Sequence, residues 1–379
     1  MKYFDHNATA PLMPEAREVW LRAVDQFIGN PSSPHRIGNR ADAALSDARA
    51  RLARLLGCDA LDIVWTSGAT EANNHALHHF ARTLPADAEV WVSAIEHPCV
   101  VESATHYFGS RVRAIPVGHE GVVNLDWLAE RLARTRPGLV AVMAANNVTG
   151  VLQPWRQLAE LCRKWEVPYL CDAVQWLGKE PSRGLGESDF VSGCAHKVGG
   201  PRGIGFLKCP GRGRVESLLF GGPQEEGRRA GTENVAGALA LVTALEARET
   251  LLPEVERREQ MRDDFIRRLE AELPGAEVVG SSRPRLWNTV AAMMPEVEGR
   301  QRWVVKLDKL GFAVSSGSAC SSGKEEPSPI LLAMNYAPER ANRVLRFSSG
   351  WETTAADWDA LLDGVLEAAR ELGVFAEAG

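Results

Sequence analysis

The chain of 379 residues is longer than the roughly 250–300 residues at which one hydrophobic core stops growing, so two domains are expected. A composition of 45% hydrophobic and 24% charged residues is that of a globular enzyme and excludes a disordered or fibrous chain. The net charge of −6, with arginines interleaved among acids, speaks against a nucleic-acid binder, and no apolar run approaches a membrane span.

Met1 is followed by Lys2-Tyr3-Phe4-Asp5-His6-Asn7 rather than a basic stretch and an apolar segment, so a soluble, cytoplasmic protein is expected. The seven cysteines, Cys58, Cys99, Cys162, Cys171, Cys194, Cys209 and Cys320, include no Cys-x-x-Cys pair and fit neither a disulfide framework nor a zinc site. A reducing compartment follows. Six of them have apolar or strand-like neighbours and read as inert core residues, whereas Cys320 sits among Ser, Gly and Ala.

Between about residues 60 and 210, short apolar runs alternate with helical patterns. The runs are Ile63-Val64-Trp65, Val90-Trp91-Val92, Val112 to Val117, Leu139 to Met143, Tyr169-Leu170-Cys171, Phe190-Val191 and Ile204 to Leu207. This rhythm predicts an α/β fold with a mostly parallel sheet wrapped by helices. Several runs end in polar or glycine residues, at Thr66-Ser67-Gly68, Asn146-Asn147, Asp172 and His196-Lys197, and ligands of such sheets bind at the carboxyl ends of strands. Long helical stretches follow, strand character restarts over Leu286 to Met294, and a second domain is expected from near residue 250. Trp358, Leu361, Leu362, Val365, Leu366, Ala369 and Leu372 predict a final amphipathic helix, opened by a Thr354/Asp357 capping box.

The chemistry concentrates at those strand ends. Lys197 lies between a strand and the glycine-rich turn Gly199-Gly200-Pro201-Arg202-Gly203, where a lysine can reach an aldehyde in a partly desolvated site that lowers its pKa. Asp172 directly follows an apolar strand and can keep a pyridine nitrogen protonated, although an Asp there also caps helices. Thr66-Ser67-Gly68-Ala69-Thr70-Glu71 opens a helix and offers backbone N–H groups and a hydroxyl to a phosphate. Glu71, His75, His78 and His79 share one helix at metal-ligand spacing, and the expectation is that they cover or pack the helix without binding metal.

Together with Tyr3 to Thr9, Gly29-Asn30-Pro31-Ser32-Ser33, Glu96-His97, Asp172 to Gln175, Arg229 to Asn234, Ser315 to Cys320 and Arg346-Phe347-Ser348, these segments resemble the cysteine desulfurases of the class V aminotransferase family over nearly the whole chain. The resemblance implies a fold type I transferase dependent on pyridoxal 5′-phosphate (PLP). Its mostly parallel seven-stranded sheet would lie in a large domain over 14–250, with a smaller α+β domain built from 1–13 and 251–379. It implies that Lys197 carries the cofactor and moves protons at the substrate, that His97 stacks on its ring, that Asp172 pairs with the ring nitrogen and that Gln175 binds the phenolic oxygen. Gly68, Ala69, Thr70, Cys194 and His196 would hold the phosphate, completed by Thr232 of a neighbouring subunit in a homodimer. Asn147 and Arg346 would bind the carboxylate of L-cysteine, for which a guanidinium fork is the apt partner. Cys320, in a loop of small residues, would take the sulfur as a persulfide and pass it to an acceptor protein, for iron–sulfur cluster or thio-cofactor biosynthesis.

The pattern departs from the family at three places. Cys194 stands where a phosphate-binding Ser is usual and is a weaker donor, Val148 replaces an acid after the two asparagines, and Trp351 follows the Arg346 segment in place of an arginine. The chain also stops short of the tail that docks the iron–sulfur scaffold in housekeeping members. The rival readings are another class V enzyme, such as a selenocysteine lyase or an aminotransferase, and a regulatory protein that has kept the fold without catalysis. An aminotransferase has no need of a nucleophile such as Cys320.

Overall fold

The computed structural model describes residues 1–211, 215–297, 301–316 and 327–375. Its central sheet has seven strands: β1 (Ile63–Thr66), β2 (Val90–Ser93), β3 (Val112–Ile115), β4 (Leu139–Ala141), β5 (Tyr169–Asp172), β6 (Phe190–Cys194) and β7 (Gly205–Lys208). Their spatial order is β1-β7-β6-β5-β4-β2-β3. Strands β2 to β6 pair in parallel, while β7 runs antiparallel to both β6 and β1. Strand β1 therefore points the same way as β2 to β6, and the ends of all six lie on one edge. The mostly parallel sheet expected from the alternating runs is present.

Alternation along each strand divides its side chains between two buried faces. Ile63, Trp65, Val140, Tyr169 and Val191 enter one core, covered by helices Arg36–Leu56, Trp155–Lys164 and Val235–Glu249. Val64, Val90, Val92, Leu139, Ala141, Leu170 and Leu207 enter the other, covered by Ala69–Thr83 and Pro98–Phe108. Both faces are dry, which is why the strands read as continuous apolar runs.

A four-stranded antiparallel sheet joins Ser315–Ser316, Val344–Ser348, Thr289–Met293 and Glu277–Val278 in that order. Helices Val255–Glu272 and Ala355–Glu371 pack on it through Phe265, Leu269, Trp358, Leu361, Leu362 and Val365. The second of these opens with the Thr354/Asp357 capping box, as expected. Phe4 is buried in this core, and the segment around it is threaded between the two sheets. Lys2–Tyr3 pairs with Phe312–Ala313, and Asp5 bridges to Ser348.

Candidate active site

The carboxyl ends of the parallel strands open into a cavity of about 570 Å³, within the ~300–1,000 Å³ range of small-molecule sites. Lys197 reaches it from a short turn, Ala195–Lys197, directly after β6. Its Nζ donates to the main-chain oxygens of Asn7 (2.5 Å) and Ala8 (2.6 Å). Two glycines make this approach possible. Gly199 turns the chain at φ +93°, and a Cβ on Gly205 would lie 2.6 Å from Gly193 O and 2.6 Å from the Cα of Gly68.

Across the cavity, Asp172 closes β5 with one carboxylate oxygen accepting from Asn73 Nδ2 at 2.8 Å and the other from the Val174 N–H at 3.0 Å. Behind it Glu96 is fully buried and accepts from the Met143 N–H. Burial first, and then the charge of Asp172, push its carboxyl well above the ordinary range. Burial and Asp172 thus both disfavour a second negative charge at this wall. His97 accepts from the Cys99 N–H through Nδ1, which leaves its proton on Nε2, and burial lowers its pKa. Gln175 donates from Nε2 to the main-chain oxygen of Asn7 at 3.0 Å.

The third wall is the start of helix Ala69–Thr83. Gly68 at its N-cap supplies no side chain to the first N–H groups, so apart from the Ala69 N–H, which meets Cys194, they can serve a ligand. Ser67 N donates to Glu71, whose carboxylate is held in turn by Arg229 at 2.8 Å. Cys194 is buried beside this helix start, with the backbone N–H groups of Lys197 and Ala69 turned to its sulfur, and burial pushes its thiol up to about 11. His196 contacts Thr9 Oγ1 through Nδ1 at 3.2 Å, and its pKa is lowered to about 4 by burial and then by Lys197 and Arg202. It meets the cavity uncharged at neutral pH.

The fourth wall comes from the smaller sheet. Arg346, in Val344–Ser348, donates from Nη1 to Asn147 O at 3.0 Å and from Nη2 to the Asp5 carboxylate at 2.7 Å. Its Nε and the Oδ1 of Asn147 are buried without a hydrogen-bond partner among the described residues, and both residues line the cavity. The Arg346 fork is therefore already half engaged by an internal carboxylate.

Gly68, Ala69, Thr70, His97, Asn147, Asp172, Gln175, Cys194, His196, Lys197 and Arg346 all line this one cavity. Thr232 does not; it is exposed on this chain. Cys320 lies outside the described residues. The six other thiols are all held protonated by burial: pushed up to about 12 at Cys58 and Cys162, to about 11 at Cys194 and Cys209, and upward at Cys99 and Cys171. Sequence reasoning gave no role to Asn7, Thr9 or Arg202, which also line the cavity, nor to Asp5. A polar stretch so near the start carries no periodic signal, and its partners lie far along the chain. On the neighbouring helix, His75 and His79 meet the main chain of Glu216, His75 through Nε2 at 3.1 Å and His79 by accepting the N–H at 3.2 Å.

The model of the class-V aminotransferase family matches residues 2–361. A cysteine desulfurase of Klebsiella pneumoniae is 37% identical over 100% of this chain and 96% of its own length. One from Cereibacter sphaeroides is 38% identical over 95% and 94%. Among solved structures, a NifS-like protein from Rickettsia africae superposes with a TM-score of 0.88 at 28% identity, covering 98% of this chain and 99% of that one. With a family match across nearly its whole length, and a lysine, an acid and an open helix start meeting at one sheet edge, the chain belongs to the class-V aminotransferase family, in its cysteine desulfurase branch.

Proposed function

We propose that this chain converts L-cysteine to L-alanine with PLP bound to Lys197, and that Cys320 carries the sulfur as a persulfide to an acceptor protein for iron–sulfur cluster or thio-cofactor biosynthesis. The observation that carries this reading is the convergence of Lys197, Asp172 and the open helix start at Gly68-Ala69-Thr70 on one cavity. The donor set fits the cofactor. A carboxylate held by two N–H donors suits a pyridinium, free helix N–H groups suit a phosphate, and the partnerless Asn147 Oδ1 and Arg346 Nε suit a polar ligand. When bound, PLP supplies an electron sink for the pair released at the substrate Cα.

The remaining steps belong to the protein. Lys197 Nζ takes the Cα proton and returns it at the end, and Asp172 keeps the ring nitrogen protonated. His97 would cover the ring, Gln175 would donate to the phenolic oxygen, and Thr70, Cys194 and His196 would join the helix N–H groups in holding the phosphate. Arg346 and Asn147 orient the substrate carboxylate. The Cys320 thiolate would form an S–S bond with the substrate sulfur as the Cβ–S bond breaks; the electron pair of that bond passes to the carbon fragment, which takes up a proton at Cβ and one at Cα and leaves as alanine. The high pKa values of the other six thiols support this choice of nucleophile.

Exposed Thr232, beside the Arg229–Glu71 pair at the helix start, together with exposed Leu219 and Phe220, supports a homodimer in which Thr232 completes the partner subunit's phosphate site. The two sheets, each packed by its own helices, support a large domain over 14–250 and a small one from 1–13 and 251–379. Free thiols support a cytoplasmic, reducing setting. Among the described residues no helix is long and apolar enough to cross a membrane.

The test is to incubate the purified protein with L-cysteine, PLP and a thiol reductant and to quantify alanine and sulfide. Both are expected in equal amounts, and both should be lost in Cys320→Ala. Absence of both in the wild type would refute the activity, and full sulfide release by the variant would remove Cys320 from its role.

A further inference from the structure

Lys179 follows Gln175 by four residues, at the end of the turn that leads away from β5. The residue is only 4% exposed, yet among the described residues its Nζ meets no carboxylate. It donates to Gln175 Oε1 at 2.5 Å and to Asn7 Oδ1 at 3.1 Å. The ionisable groups facing it are Lys197, Arg346, Cys194 and His6. Burial, and then the charges of Lys197 and Arg346, hold its amine well below the ordinary lysine range. Two oxygens receive its N–H donors.

The Gln175 amide is fixed from both sides. Asn7 O can only accept, so it takes an Nε2 hydrogen, and Oε1 is left facing the amine of Lys179. One Nε2 hydrogen then remains, on a side chain that lines the cavity. Asn7 is itself held by Thr289 Oγ1 at 2.9 Å, Asn288 Nδ2 at 3.1 Å and Asn147 O at 3.3 Å.

We propose that Lys179 is a positioning residue, which sets the Gln175 amide so that its remaining N–H is presented to the phenolic oxygen of the cofactor. This rests on the PLP reading above. A donor on that oxygen favours its anionic form and so lowers the pH at which the bound cofactor loses its proton. Without Lys179, Oε1 loses its donor, the amide is free to turn, and that pH rises.

The experiment prepares wild type, Lys179→Met and Lys179→Gln with PLP and titrates the visible absorption of the bound cofactor against pH. Lys179→Met is expected to raise the midpoint by about one unit, whereas Lys179→Gln, which keeps an uncharged N–H donor, recovers most of that shift. A purely structural role would lower the melting temperature and leave the midpoint in place, and that result overturns the proposal. An equal rise in both variants assigns the effect to charge and overturns it as well. If Lys179→Met does not fold, Lys179→Ala takes its place: a rise that Lys179→Gln largely recovers supports the proposal, and an unmoved midpoint refutes it. Wild-type protein that takes up no PLP and shows no visible band removes the cofactor reading itself, a failure distinct from an unmoved midpoint.

Discussion

Lys197 and Cys194 are adjacent in the cavity wall, and burial keeps the proton on the thiol and makes it inert. In Lys197→Ala the visible absorption of protein-bound PLP should vanish and sulfide release should fall to background, both read on the purified variant. Cys194→Ser offers the same backbone N–H groups a stronger acceptor and leaves the hydroxyl hydrogen, a stronger donor than a thiol, for the phosphate. Cofactor affinity is expected to rise by roughly tenfold, about 1.4 kcal/mol, in a fluorescence titration of the cofactor-free protein. An unchanged affinity would show that the side chain does not meet the phosphate. Lys197 and Asp172 were legible in the sequence because each directly follows an apolar strand. Lys179 and Asp5 were not, since their meaning comes from Gln175 and Asn7 in one case and from Arg346 in the other, contacts that no local pattern encodes.

At the scale of elements, helix Ala69–Thr83 carries the phosphate cup at one end and is tied along its length to residue 216 by His75 and His79. These histidines, which resemble a metal cluster in spacing, act as packing groups. The His75 pKa is lowered from 6.5 to about 4 by burial. Above pH 6.5 the ring is neutral in both the folded and unfolded states, and as the pH falls from 6.5 to 4 only the unfolded state takes the proton, so stability is lost. His75→Gln should flatten this dependence. Between pH 7.5 and pH 5 the variant is expected to lose about 2 kcal/mol less than wild type in urea unfolding. The strand runs, the order of elements and the final capped helix were readable because their signals are periodic. The reversal of β7 was not, because an apolar run does not carry its direction. Nor was the pairing of Lys2–Tyr3 with Phe312–Ala313, since two residues are too few for a pattern.

For the whole molecule, the proposed shared site makes a statement about stoichiometry. If Thr232 serves the neighbouring subunit, Lys197→Ala and Thr232→Asp should each be inactive alone. Co-refolded in equal amounts, they should recover about a quarter of wild-type turnover, because half the dimers are hybrids with one intact site each. No recovery would place Thr232 in its own subunit's site, and a Thr232→Asp variant active alone would place it in none. The threading of residues 2–9 between the sheets has a consequence for synthesis. Asn7 and Ala8 anchor Lys197, yet their own register is set by Phe312–Ala313 and Ser348. Residues 2–9 must therefore wait for residues 312–348, with the large sheet already built between them, before these two oxygens reach the lysine. A nascent chain arrested before residue 344 would have its sheet and its lysine but not the Asn7 and Ala8 oxygens in register, so capture of PLP should come as a late event in synthesis.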